Sequence, residues 1–218
     1  MVIKYTCNDI NLNIWENCFW LTLFSISFSF TNKKNALRHI KFINNMMYVI
    51  PCTQYRKMYE CVIINIPLTI DIVSNNEAFS KWIYTVMKLI QKKLNIKFVY
   101  NYDELKNYFI NGPGLYTDYW GFFLWRFMHA VTFGYSGKFK NNYFLFFKYL
   151  KYIIICTYCR RSYKDFVEHD ENLVLNANVF NNKESLTKWL YNLHNKVNFK
   201  LEKKVEISYE EVCKFYAQ

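Results

Sequence analysis

Two cysteines separated by two residues, Cys156 and Cys159, are the side chains whose type and spacing point most directly to chemistry. The segment before them is apolar and aromatic, and the segment after them mixes charged residues with apolar residues at helical spacing. The pair is therefore expected where one helix ends and the next begins. The start of a helix stabilises a thiolate through its free N–H groups and its macrodipole, and Arg160 and Arg161 add positive charge. This placement predicts a redox-active pair.

Two other uses of a CxxC pair are less well supported. A zinc site needs a second pair of ligands, and His169 and His194 are too far apart in the sequence to supply one. A thioredoxin-type site needs a βαβ frame, and no strand-like alternation flanks the pair. We therefore expect no metal, and a CxxC that is carried on helices.

The composition favours helices. The chain has 218 residues, enough for one domain or for two of about a hundred residues that each bury a core. Hydrophobic residues make up 52% of the chain, whereas glycine and proline number 5 and 3, too few for an all-β protein rich in tight turns. The predicted fold class is all-α.

The net charge of +11 raises the question of an anionic partner. The excess is spread over both halves, no run of Lys and Arg exceeds two residues, and no nucleic-acid-binding motif is present. A solvated basic surface without a specific nucleic-acid partner explains this better. The apolar stretch from Cys18 to Phe30 is too short to span a bilayer, and five scattered cysteines resemble buried thiols rather than a secreted disulfide framework. We expect a soluble intracellular protein without a membrane partner.

Helical patterns divide the chain into two similar halves. Residues 1–14 are read as an extended lead-in, and Asn111-Gly112-Pro113-Gly114 is the strongest break in the pattern. The predicted domains are 1–112 and 113–218. The predicted helices are 15–30, 34–50, 53–64 and 77–95 in the first domain, and 118–135, 141–155, 157–169, 184–200 and a short tail at 209–216 in the second.

The two halves also match residue by residue in three blocks. Trp20 corresponds to Trp125, residues 50–59 correspond to 154–163, and residues 75–84 correspond to 181–191 with one insertion. Three blocks in the same order indicate a degenerate internal duplication. The reactive and polar residues of the site are present in the second copy alone. The first copy has Tyr55, Phe24, Met87, Lys88 and Gln91 at the positions that correspond to Cys159, His129, His194, Asn195 and Asn198. The first copy is expected to keep the fold without the chemistry.

Two further motifs accompany the cysteines in the second half. Gly121, Trp125 and His129 form G-x3-W-x2-M-H, and the run from His194 to Asn198 reads H-N-x-V-N. Taken singly, a tryptophan or histidine at helical spacing is more often a core residue. However, polar side chains at positions i, i+1 and i+4 that follow an apolar face are costly to bury in a core that holds no polar ligand.

In this order, the motifs resemble the Erv/ALR family of FAD-dependent sulfhydryl oxidases over about residues 117–216. The resemblance implies a four-helix bundle that holds FAD, capped by a short fifth helix. The preceding degenerate copy suggests the viral, baculovirus-type branch, in which a helical partner without flavin forms an internal pseudo-dimer with the catalytic bundle. The enzyme implied is a thiol oxidase that forms disulfides in protein dithiol substrates and passes electrons through FAD to O2, giving H2O2.

The resemblance also implies roles for individual residues. Cys159 is the thiol next to the flavin, and Cys156 is the partner that the substrate attacks. The residues implied to contact FAD are Gly121, Trp125 and His129, together with His194, Asn195, Val197 and Asn198 toward the adenine and ribose. Lys203 and Lys200 are implied to approach the phosphates. Lys214 and Phe215 are implied to contact FAD from the C-terminal flap, where Phe215 stacks on the adenine.

The sequence departs from the family pattern at three places. Phe122 stands where the family has a basic residue after the glycine, and Ser136 stands where a proline is usual. Tyr191 and Ser208 occupy the positions of the family's second disulfide, so that bridge is missing as a unit. With no second CxxC to act as a shuttle, substrates are expected to reach Cys156 directly.

The assembly and location implied are a homodimer of internal pseudo-dimers in the host cytoplasm or nucleus, with association with the virion left open. Two alternatives to the oxidase remain. One is a non-enzymatic helical module whose basic surface binds nucleic acid or a virion partner. The other is a helical protein stabilised by zinc, which would contain stoichiometric metal and lose its fold with a chelator.

Overall fold

The computed structural model describes residues 10–31, 33–95, 100–204 and 207–216, and over these ranges the chain is helical without strands. The all-α prediction is therefore confirmed. The first half contains α1 (Leu12–Ser29), α2 (Ala36–Val49), α3 (Thr53–Asn65), α4 (Ile70–Val73), α5 (Asn76–Lys93) and α6 (Tyr102–Ile110). The second half contains α7 (Thr117–Phe133), α8 (Lys140–Ile153), α9 (Thr157–His169), α10 (Lys183–Lys200) and α11 (Tyr209–Tyr216).

The predicted helices are present with ends within a few residues of those expected, and α9 and α11 coincide with the prediction. The extended lead-in is wrong for residues 12–14, because Asn11 caps α1 by accepting a hydrogen bond from the Asn13 N–H. Residues 1–9 of that lead-in lie outside the described residues. Two helices, α4 and α6, were not predicted. The α6 helix begins with a capping box in which Asn101 and Glu104 each accept from the other's backbone N–H.

The two halves pack against each other through equivalent helices. The α1 helix lies along α7, and α2 lies along α8. At the second contact the rings of Phe42 and Phe146 stack with centroids 5.4 Å apart. Beside them, Asn45 Nδ2 donates to the Asn142 backbone oxygen at 2.8 Å and Asn142 Nδ2 donates to Asn45 Oδ1 at 2.9 Å. One apolar core therefore runs through both halves.

Gly134 allows the end of α7 to approach the first half closely. A Cβ at this position would lie 2.7 Å from the Pro51 Cα, in the turn between α2 and α3. Any larger residue would push the two halves apart at this point.

Several buried hydrogen bonds occur in both halves at the same spacing along the chain. The Tyr59 hydroxyl donates to Ile43 O and the Tyr163 hydroxyl to Phe147 O, in each case sixteen residues earlier. The indoles of Trp82 and Trp189 likewise donate to the backbone oxygens of Ile66 and Leu173, again sixteen residues earlier. Each tyrosine fixes the third helix of its half to the second, and each tryptophan fixes the long helix α5 or α10 to the segment that precedes it.

The cysteines outside the CxxC pair differ from the expectation of scattered buried thiols. Cys52 is disulfide-bonded, and its sulfur accepts from the Tyr55 N–H at the start of α3, as Cys156 does at the start of α9. Cys61 is exposed, whereas Cys18 is buried. The expectation was wrong for Cys52 and Cys61 because neither bonding nor exposure can be read from isolated cysteines in a sequence.

None of the helices in the described part of the chain is long and apolar enough to cross a membrane.

Candidate active site

The two cysteines of the CxxC pair lie at the start of α9. Helix α8 ends at Ile153, two residues continue the chain, and Cys156 is the N-cap of α9 with its sulfur 3.2 Å from the Cys159 N–H that donates to it. Both cysteines are free thiols and half-buried. The prediction that the pair lies at a junction between two helices is confirmed.

The electrostatics of Cys159 differ from the prediction. Burial, and then the hydrogen bond and charge of Cys156, raise the pKa of the Cys159 thiol to about 12. The guanidinium of Arg160 donates instead to Ile154 O at 2.9 Å and to Thr157 Oγ1 at 3.3 Å. In the reduced pair, Cys159 is therefore a thiol at neutral pH. The helix terminus can be predicted from the sequence, but the desolvation that raises the pKa of Cys159 depends on the folded structure.

A cavity of about 800 Å³ opens next to Cys159, between α7, α9, α10 and α11. Cys159 lines it, and Cys156 does not. The cavity wall contains ten of the eleven residues expected to contact the cofactor: Gly121, Trp125, His129, His194, Asn195, Val197, Asn198, Lys200, Lys203 and Phe215. The exception is Lys214, which is exposed on α11 and does not line the cavity. The adjacent residues Phe215 and Tyr216 line the cavity, and a contact between Lys214 and the cofactor stays a prediction.

Helical spacing explains why the motif residues share this wall. Gly121, Trp125 and His129 follow one another at four-residue intervals on α7, and His194 and Asn198 do so on α10. A Cβ added to Gly121 would meet no atom within 4 Å, so the glycine leaves the space beside it open.

Four aromatic side chains pack together on this wall. The rings of Trp125 and His194 are parallel within 8°, with centroids 4.0 Å apart. His194 Nδ1 is 3.1 Å from His129 Nε2, so one imidazole donates and the other accepts. The ring of Tyr216 packs on the other side of His129 at 5.7 Å and closes the stack from α11.

Both imidazoles of the stack are neutral at physiological pH. Burial, followed by the neighbouring His194, lowers the pKa of His129 to about 3. Burial, followed by the charge of Lys203, lowers the pKa of His194 to about 4. His129 Nδ1 is buried and receives no hydrogen bond from the residues that the structure describes. An unpaired buried polar atom beside a cavity of this size is the kind of group that a bound polar ligand satisfies.

Cationic side chains lie along the rim of the cavity. Lys203 Nζ pairs with Asp118 at 2.7 Å, and Lys200 Nζ donates to Ser162 Oγ at 2.9 Å. Arg126, which the sequence reasoning missed, also lines the cavity, with its guanidinium between the rings of Phe122 and Phe215. The signal for Arg126 was available, because it stands one helical turn after Phe122 on α7.

Within the described part of the chain, no group of three His, Cys, Asp or Glu side chains is arranged to hold a metal ion.

Comparison with known proteins identifies the same region. The sequence profile of the Erv1/Alr family matches residues 123–216. A protein of Acanthamoeba polyphaga mimivirus, described as a probable FAD-linked sulfhydryl oxidase, is 35% identical over 98 residues. That match covers 43% of this chain and 66% of the relative's length. No solved structure matches the chain.

Proposed function

Because the chain belongs to the Erv1/Alr family, we propose that residues 113–218 form an FAD-dependent thiol oxidase domain that makes disulfides in substrate proteins. The observation that carries the proposal is the position of the two cysteines. Cys159 lines the cavity with the Trp125–His194–His129 stack, whereas Cys156 lies outside it. The pair thus connects the surface, where a substrate dithiol arrives, to the interior, where an electron acceptor binds.

The cavity residues fit a flavin dinucleotide. A volume of about 800 Å³ lies within the range of cofactor sites, and Gly121 leaves the space beside it open. Trp125 and the two histidines offer flat aromatic surfaces, and His129 Nδ1 offers an unpaired polar atom. The cationic rim suits the phosphates of the cofactor. Bound FAD would accept two electrons from the reduced pair and pass them to O2, which gives H2O2.

The protein's own residues carry out thiol–disulfide exchange. When the pair is oxidised, a substrate thiolate attacks Cys156, the Cys156–Cys159 bond breaks, and Cys159 takes up a proton because its pKa is raised. The second substrate thiolate then attacks the substrate sulfur of the mixed disulfide, and Cys156 leaves as a thiolate that takes up a proton from the solvent. The substrate has gained a disulfide and lost two electrons, and the pair has gained two electrons and two protons.

We also propose that the first half is a degenerate copy that forms an internal pseudo-dimer with the second. The repeated tyrosine and tryptophan hydrogen bonds and the contact between equivalent helices support this. In the first half, the buried Glu16 carboxylate accepts from Trp20 Nε1, the Tyr55 hydroxyl and Gln91 Nε2 at 2.8, 3.0 and 3.1 Å. By the sequence correspondence, Trp20, Tyr55 and Gln91 stand for Trp125, Cys159 and Asn198. This network occupies the place of a cofactor site, so one FAD per chain is expected.

The baculovirus-type arrangement, the pairing of two chains and the location in the host cytoplasm or nucleus stay predictions.

The test of the function is oxygen consumption and H2O2 release during oxidation of a dithiol by the full chain. We expect Cys156→Ser and Cys159→Ser each to lose at least a hundredfold in turnover. Cys61→Ser is the matched control, because Cys61 is exposed and does not line the cavity. Oxidation that survives both CxxC substitutions would contradict the proposal. Salt-dependent binding of DNA by a protein that oxidises no dithiol would favour a binding module instead.

A further inference from the structure

Arg126 is a cation at the cavity whose charge no carboxylate of the described residues neutralises. Its guanidinium carbon lies 5.3 Å from the centre of the Phe122 ring and 4.6 Å from the centre of the Phe215 ring. Among the residues that the structure describes, no Asp or Glu forms an ion pair with it. Lys203, the neighbouring rim cation, is by contrast paired with Asp118.

The position of the guanidinium is fixed from two helices. Phe122 and Arg126 are one turn apart on α7, and Phe215 approaches from α11, where the Tyr216 hydroxyl also donates to the Arg126 backbone oxygen at 3.2 Å. Stacking on aromatic faces leaves the N–H groups at the edge of a guanidinium free to donate in its own plane. A side chain held in this way is prepared for a ligand with several oxygen atoms, because little rotamer freedom remains to be lost on binding.

The same arrangement accounts for the departure at position 122. A basic residue is replaced there by Phe122, and the guanidinium of Arg126 lies over that ring. Arg126 stands one helical turn after Phe122 on α7, and both side chains line the cavity.

We propose that Arg126 binds the diphosphate of the dinucleotide cofactor and thereby selects FAD over flavins that lack the diphosphate. The inference rests on the proposed function, because it requires that the cavity hold FAD. It assigns the family's missing basic contact to a residue of this chain, and it gives Phe122 and Phe215 the role of positioning the guanidinium. Bidentate donation to phosphate oxygens is the interaction for which arginine is best suited.

The test is a titration of flavin-free full chain with FAD, followed by the change in flavin fluorescence, at low and at physiological salt. We expect Arg126→Gln to weaken FAD binding about tenfold or more, which corresponds to about 1.4 kcal/mol at 25 °C, and to reduce its salt dependence. The double variant Phe122→Arg, Arg126→Gln should recover much of the affinity. Arg38→Gln is the matched control, because Arg38 also stacks on a tyrosine ring, at 4.0 Å from Tyr152, but does not line the cavity.

The outcomes separate this proposal from the proposed function. If the wild type binds no FAD, the function itself fails. If the wild type binds FAD and Arg126→Gln binds it equally well, the function stands and the role of Arg126 is refuted. A loss of affinity with unchanged salt dependence and no recovery in the double variant would show that Arg126 acts by packing alone. Should Arg126→Gln fail to fold, competition by ADP in the wild type and the affinity of Arg126→Lys decide the question, since ADP that does not compete contradicts a diphosphate site.

Discussion

The buried histidine pair makes the flavin-free protein sensitive to acid, and His129 is the residue with which to measure the effect. Burial lowers the pKa of His129 in the folded chain to about 3, from an ordinary value of 6.5. Above pH 6.5 the residue is neutral in both the folded and the unfolded chain, and its contribution to stability is fully present. As the pH falls below 6.5, His129 binds a proton in the unfolded chain but not in the folded chain, and stability is lost until the pH nears 3.

The size of the loss follows from the two pKa values. Each pH unit between them costs about 1.4 kcal/mol for one site, so a change from pH 7.5 to pH 5.0 removes about 2 kcal/mol through His129 alone. His194, with its pKa lowered to about 4, and His39, whose pKa burial also lowers, act in the same direction. His129→Gln should therefore lose less stability on acidification than the wild type, by about 1–2 kcal/mol.

The assay is urea unfolding of the flavin-free protein at pH 7.5 and at pH 5.0, followed by far-UV circular dichroism. His169→Gln is the control, because the His169 side chain is 71% exposed at the end of α9. We expect the control to lose as much stability between the two pH values as the wild type does. An equal loss in wild type and His129→Gln would refute the view that His129 is held neutral by burial.

Four other substitutions test the cavity and two sets of hydrogen bonds. Gly121→Leu should leave the flavin-free protein as stable or more stable by about 0.5–1 kcal/mol, because a Cβ added there meets no atom within 4 Å and helix propensity rises. The same substitution should weaken FAD binding at least tenfold, and unchanged affinity in a fluorescence titration would contradict this. Tyr163→Phe and its counterpart Tyr59→Phe should each lower the free energy of unfolding by about 1 kcal/mol in urea, and very unequal losses would argue against equivalent roles. Asn45→Ala should cost about 1–3 kcal/mol, since it leaves the Asn142 side chain in the interface without its acceptor; no loss would mean that water replaces the pair.

The sequence predicted most of what local pattern determines. Helix α9 was placed at its observed bounds because a CxxC between an apolar run and a charged run marks a helix start. Helix α6 was missed although its signal was present, since Asn101 and Glu104 form a capping box just before the break at Gly112. The segment of α6 lacks strong apolar periodicity, so its cap was the helix signal to use.

The sequence indicated most of the motif residues that line the cavity, but not their electrostatics. Helical spacing brought the motif residues onto two facing helices, but the contact between His129 and His194 joins residues 65 positions apart and depends on how α7 and α10 pack. Burial, which reverses the expected effect on Cys159, is likewise a property of the assembled bundle. Phe215 lines the cavity and its neighbour Lys214 does not, because one residue turns a helix by about 100°.

The most direct test of the central claim is the visible absorption spectrum of the purified protein without oxygen, recorded before and after addition of a dithiol. Cys159 lines the cavity and Cys156 lies outside it, so we expect a flavin band that bleaches in the wild type and persists in Cys159→Ser. Protein that is folded and has been incubated with FAD but shows no flavin band would contradict the proposed function. Equal bleaching in Cys159→Ser would show that electrons reach the flavin by another path.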